Sequence, residues 1–242
     1  MYSFKCNTKI DVKNLNHVLN TTTDERRLHL LRQIKDSMDP YGNLICSHYQ
    51  KPDGWRMYAD GPSLQFVQKD IRRYISVPSW EYDIINAWPT ILRNICKQLN
   101  IKCFWLDDYV QNRQEWLSNG IDKADVINII FDKEVPGKPI LDPFRAEIAN
   151  IRETIASNHN IPFTDGSISQ NLSRVLQNEE VRIIMKVFMM LNYKFPSVRV
   201  QSYLFDGFLI EKHPTISSQT LLDAMNQTVA RDNVAFCLKE YN

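Results

Sequence analysis

Between Asp24 and Met38 the apolar residues Leu28, Leu31, Ile34 and Met38 stand three or four positions apart, with charges between them. That spacing predicts a helix, which Asp39-Pro-Tyr-Gly-Asn43 ends. Leu44 to Tyr49 reads as a short strand. The polar, glycine-bearing stretch after it is irregular, apart from a short basic helix over Gln68 to Ile75. Trp80 to Ile85 has strand character and runs into Asn86-Ala-Trp-Pro-Thr90 and a helix over Ile91 to Leu99. Helical periodicity then dominates Asp107–Asn119, Lys123–Phe131, Pro143–Asn158 and Ser169–Leu191. Pro136 and Pro139, then Pro162 with Asp165-Gly166, separate these segments. Beyond Pro196 the period falls to two, through Val198, Val200, Tyr203 and Phe205, then Phe208 and Ile210. With Asp206-Gly207 in the middle this predicts a β-hairpin. A helix near Ser217–Val229 and a strand over Val234 to Lys239 complete the chain. The order implies an α+β fold: an antiparallel sheet backed by helices, with a helical insertion.

Composition narrows the classes. The 242 residues are 43% hydrophobic and 24% charged, ordinary globular values, and allow one ample domain or two small ones. The net charge of +1 means that any affinity for a phosphate backbone must come from local clustering. Cys6, Cys46, Cys96, Cys103 and Cys237 are scattered without a C-x-x-C pair, as expected of a reduced intracellular protein. The five histidines are isolated from one another and from the cysteines, so no zinc spacing exists. P-loop, G-x-S-x-G, repeat, signal-peptide and membrane-spanning patterns are also missing. The expectation is a soluble, intracellular protein with no membrane association.

Two acidic positions stand out. Asp83 ends a predicted strand just before a helix, and Asp206 interrupts the apolar run Tyr203-Leu-Phe205-Asp206-Gly207-Phe208-Leu-Ile. An ionised carboxylate among apolar neighbours costs several kcal/mol unless compensated. Asp-Gly is also the preferred pair of a type I′ turn, so a turn role and a chemical role are both open at Asp206. Lys69, Arg72 and Arg73, interleaved with Phe66 and Tyr74, suit either a nucleic-acid backbone or a solvated helix face.

The order of these features resembles the polymerase domain of family A DNA polymerases, in the divergent form seen in large DNA viruses, phages and mobile elements. The family's blocks run T-G-R-L…P-N-L-Q-N-I-P with a later Arg, then D-x-S-x-x-E-L-R, a helix R-x3-K-x3-F-x3-Y-G, and H-D-E. The matching residues here are Gly54-Trp-Arg56 with Leu64-Gln65 and Ile71-Arg72, then Tyr82-Asp83-Ile84-Ile85-Asn86-Ala-Trp88-Pro-Thr, and finally Phe205-Asp206-Gly207. The resemblance spans about Leu44 to Lys239. It implies a palm-like antiparallel sheet with a reduced helical fingers insertion. Residues 1–43 would form an N-terminal helical segment, 44–106 the first palm part, 107–195 the fingers-like part, and 196–242 the palm hairpin with the last strand. The implied activity is template-directed nucleotidyl transfer, primer extension from dNTPs, by two Mg2+ ions with Mn2+ as substitute. Asp83, Asp206 and the backbone carbonyl of Ile84 would be the metal ligands, with both aspartates catalytic. Arg56, Gln65, Arg72 and Arg73 would meet the template-primer, and Trp88, Lys123 and Phe131 the nucleoside triphosphate. Trp88 is equally suited to packing at a helix start.

Departures from the family pattern keep two further readings open. Aligning Lys123 with the Arg of the fingers helix puts Phe131 on the aromatic position but Ile127 where a Lys should grip the triphosphate. Val135 and Pro136 replace Tyr-Gly, and the His and Glu flanking the last Asp are missing. Lys133 or Lys138 would have to supply the lost charge. One alternative is a primer- or RNA-synthesising enzyme of the same fold. The other is a palm that binds nucleic acid or a replication partner protein without catalysis.

Overall fold

A computed structural model describes residues 2–50, 56–158 and 166–239, so Gly54 of the first block and the Pro162–Asp165 separator lie outside the described residues. The architecture is α+β with antiparallel sheets. It forms two compact units: Met1–Ile84 with Val181–Ala230 and Ala235–Asn242, and Ile85–Glu180 with Arg231–Val234.

The first unit carries two sheets where the sequence pattern predicts one. The expected helical start is instead a strand, β1 (Ser3–Lys9), which buries Phe4, Cys6 and Thr8 on one face. Two of those three are small, which is why alternation there is weak in the sequence. Strand β1 pairs with β2 (Asn43–Gln50), and β2 with β3 (Met57–Asp60), in a three-stranded antiparallel sheet. Strand β3, inside the irregular polar stretch, is held by Gln65: its amide accepts from Ala59 N–H at 2.9 Å and donates to the Met57 carbonyl at 3.1 Å.

Helices α1 (Val12–Thr21) and α2 (Glu25–Ser37) start at Asp11 and Asp24, whose carboxylates accept backbone N–H groups of the first turn. With α3 (Lys69–Ile75) they bury Leu15, Val18, Leu31, Ile34 and Ile75 in one cluster that also takes Leu204 and Leu209.

The second sheet has the order β5-β6-β4-β7, all antiparallel: β4 (Ser79–Ile84), β5 (Val200–Tyr203), β6 (Gly207–Glu211) and β7 (Phe236–Leu238). Cross-strand partners share a face. Tyr82 and Phe208 form one such pair; the Tyr82 hydroxyl donates to the Ser218 carbonyl at the start of α10 (Ser218–Val229), and Phe208 lies 6.4 Å from Phe188. The opposite face carries the pair Glu81 and Leu209, then Asp83 and Gly207. Both faces are covered, so Val200–Tyr203 is buried throughout.

The second unit is helical: α4 (Ala87–Gln98), α5 (Phe104–Gln111), α6 (Arg113–Ser118), α7 (Lys123–Ile130), α8 (Asp142–Ala156) and the first part of α9 (Ile168–Lys194). Helix α4 starts four residues before the expected Ile91, because Pro89 is tolerated in a first turn. The helix expected over Asp107–Asn119 begins at Phe104 and breaks at Asn112, whose side chain donates to Asp108. Tyr109, Trp116 and Phe144 stack edge-on or tilted in the core of this unit. Glu147 of α8 accepts the Trp105 and Leu106 N–H groups, capping α5 from a neighbouring helix.

Candidate active site

Asp83 and Asp206 come together through the β4–β6 pairing. Asp83 is the cross-strand partner of Gly207, and the next amide, Ile84 N–H, donates to the Asp206 carbonyl at 2.8 Å. The hairpin turns one residue earlier than the Asp-Gly pair suggests. Leu204 N–H donates to the Gly207 carbonyl at 2.9 Å, and Asp206 N–H to the Leu204 carbonyl at 3.0 Å. The tip is therefore Phe205-Asp206, and Phe205, with φ 67°, takes the left-handed conformation. Gly207 serves another purpose. A Cβ there would collide with the Tyr82 carbonyl oxygen and the Asp83 carboxylate, so only glycine lets the two strands approach at this point.

The charge balance at this spot is negative. Burial, then the charge of Asp206, push Asp83 up from the ordinary carboxylate range to about 6; Lys239 opposes the shift and Glu81 adds to it. Lys239, just after β7, places Nζ 3.2 Å from Asp83 Oδ2. Its backbone N–H donates to the Glu81 carbonyl at 2.8 Å, which fixes the root of the side chain. Burial works against its ammonium, but the charge of Asp83 carries it above the usual lysine range.

Two residues earlier on the same strand the balance reverses. Glu81 is buried, yet Lys69, Arg72 and Arg73 of α3 converge on it at 3.6, 3.6 and 3.5 Å. Arg72 also donates to the Val67 carbonyl at 3.3 Å. The basic cluster is thus neither a simple solvated face nor a set of loose cations. One buried carboxylate gathers three positive groups.

Among the other predicted site residues, Arg56 stacks its guanidinium over the Phe205 ring at 4.7 Å, while Tyr58 and Tyr203 meet that ring edge-on at 5.9 Å. Gln65 is buried with its amide committed to β3. In the second unit, Trp88 donates its indole N–H to buried Glu180 at 2.7 Å and meets Phe131 edge-on at 4.9 Å. Lys123, Ile127 and Phe131 follow at intervals of four along and just beyond α7, with Lys123 exposed. Lys138 pairs with Asp125 at 2.6 Å and donates to the Gly120 carbonyl at 2.9 Å, so its charge is already used. Lys133 is exposed. Sequence reasoning missed Glu81 and Lys239. The period-two spacing of Glu81 and Asp83 was a usable signal for the first; nothing local marks the second.

Among the described residues, no three His, Cys, Asp or Glu side chains gather as a metal-holding group, and no helix is long and apolar enough to cross a membrane.

No protein-family model matches the sequence. A Sputnik virophage protein named "Putative helicase V13" is 27% identical over 220 residues, covering 78% of this chain and 28% of that protein. Among solved structures, the chain is similar to the POL domain of Pol1 from M. smegmatis, in complex with DNA primer-template and dNTP. The TM-score is 0.58 and the identity 12%, over 88% of this chain and 50% of that one. The fold therefore resembles a DNA polymerase domain, and the chain spans half or less of each of these two proteins.

Proposed function

We propose that this chain carries a template-directed nucleotidyl-transfer site, extending a primer from deoxynucleoside triphosphates, in which Asp83 and Asp206 hold divalent cations. The observation that carries the reading is Asp83 on β4 facing the hairpin tip that holds Asp206, with the Lys239 ammonium against Asp83, in a chain of polymerase-like fold. Two carboxylates suit Mg2+, which completes its octahedron with water and substrate oxygens and does not need a third protein ligand. The backbone carbonyl of Ile84 is a further donor in this reading. Bound cations would activate the primer hydroxyl and neutralise charge on the triphosphate.

The chain's own residues divide the remaining work. Gly207 permits the close strand approach that brings the carboxylates together. Arg56, stacked on Phe205, and the cluster of Arg72 and Arg73 suit the phosphates of a template-primer. Gln65 contributes by fixing β3, through the bonds of its buried amide to Ala59 and Met57. Trp88, Lys123 and Phe131 are assigned to the nucleotide, with Trp88 held by Glu180.

One observation favours a second reading, a palm that binds nucleic acid without chemistry. Ile127 occupies the α7 position between Lys123 and Phe131, and Lys138 is tied to Asp125. Primer extension decides between them. Labelled template-primer is incubated with Mg2+ or Mn2+ and with dNTPs or NTPs, comparing the native chain with Asp83→Asn and Asp206→Asn. The catalytic reading expects extension that either substitution lowers by at least about 10³-fold. Extension only from NTPs would make the product RNA. Absence of extension, with nucleic-acid binding equal in all three proteins, would establish the second reading.

A further inference from the structure

Lys239 belongs to none of the sequence blocks that point to a polymerase. It follows the last strand, where the Glu81 carbonyl accepts its backbone N–H. Its ammonium lies 3.2 Å from Asp83 Oδ2, on a side chain 37% exposed, facing a carboxylate only 17% exposed. Exposed ammonium groups gain little from an ion pair. This one is different because a second carboxylate residue stands beside the first: Asp206 precedes Gly207, the cross-strand partner of Asp83, and its carbonyl accepts the Ile84 N–H. Among the described residues the two aspartates therefore meet one ion-paired ammonium, carried on a flexible stem and rooted by the backbone.

We infer that Lys239 is a built-in counter-ion of the Asp83–Asp206 pair, which a divalent cation must displace from Asp83 in order to bind. This rests on the assignment of the two aspartates as a cation site. An ammonium offers one charge and no coordination geometry, whereas a divalent ion offers two charges and takes oxygen ligands from both carboxylates. Exchange therefore favours the metal once its concentration is high enough, and the lysine sets that threshold. Without metal, the lysine offsets part of the repulsion between the two carboxylates across the β4–β6 seam. Lys69, Arg72 and Arg73 do not compete for this role, because Glu81 holds them.

The test is Mn2+ binding to the intact chain without nucleic acid or nucleotide, followed by the loss of the free-ion electron paramagnetic resonance signal. Lys239→Met should tighten Mn2+ binding by about three- to tenfold, and Lys239→Arg should stay within about twofold of the native chain. Thermal melts without metal should show the Lys239→Met chain still folded, since the side chain is partly exposed. Asp206→Asn should abolish the high-affinity Mn2+ site in either background. Equal affinity in the native and Lys239→Met chains, with the site still abolished by Asp206→Asn, would overturn the inference and leave the cation site standing. An absence of Asp206-dependent Mn2+ binding in every variant would overturn the cation site itself, and the inference with it.

Discussion

Glu81 and Asp83 sit two residues apart on one face of β4, and the chain treats them in opposite ways. Glu81 is surrounded by three cations, so a buried negative charge becomes the anchor of a basic cluster. Asp83 meets one ammonium and a second carboxylate, so a partly buried negative charge remains under-compensated. The first arrangement can sit unchanged for the life of the protein. The second stores repulsion that a ligand of opposite charge would relieve, and unrelieved charge marks functional sites more often than structural ones. A strand that places a basic cluster beside a carboxylate pair suits a substrate presenting both phosphates and metal ions.

The comparison can be broken most strongly at its satisfied end. Glu81→Ala leaves three positive groups facing a cavity and should cost about 3–4 kcal/mol, read from urea unfolding. A loss below about 1 kcal/mol would mean that the cluster is solvated and that Glu81 is no anchor. A background effect must be subtracted before pH is used on either end. His48, buried in the first sheet between Phe4 and Tyr203, is pushed down to about 4 by burial. Its folded value lies below the unfolded one, so its contribution is present above about pH 6.5 and is lost as pH falls toward 4. Native stability should drop by about 2–3 kcal/mol over that window, and His48→Phe should flatten the drop.

Smaller in size but opposite in sign is Asp83→Asn. Removing one of two facing carboxylates should raise stability by about 1 kcal/mol while abolishing any transfer activity. Equal destabilisation by Glu81→Gln and Asp83→Asn would erase the distinction between the two positions. The smallest effect is expected at Arg56→Ala, where loss of the stack on Phe205 should change stability by less than about 1 kcal/mol. Template-primer affinity should nevertheless fall, and its salt dependence become shallower by about one contact.

The long elements were legible because each carries its own period. Helices α2, α3, α7, α8, α9 and α10 and strands β2, β4 and β6 fall within a few residues of where spacing predicts them. Strand β1 was not legible because Cys6 and Thr8 are weak markers of a buried face, and β3 because its four residues depend on the Gln65 clamp. The Asp83–Asp206 pairing could be anticipated from motif order. Lys239 could not, since it reaches Asp83 only through the β4–β7 pairing, 156 positions away along the chain. The turn shift at Phe205 was hidden for a similar reason. The glycine after Asp206 answers to the β4 backbone, and not to the hairpin alone.

The most direct test is a crystal of the chain grown with a chain-terminated template-primer, the next nucleotide and Mn2+, with anomalous scattering used to locate the metal. The account predicts Mn2+ peaks coordinated by the Asp83 and Asp206 carboxylates, with Lys239 moved away from Asp83. Peaks elsewhere, or carboxylates standing more than about 8 Å apart in the complex, would contradict it.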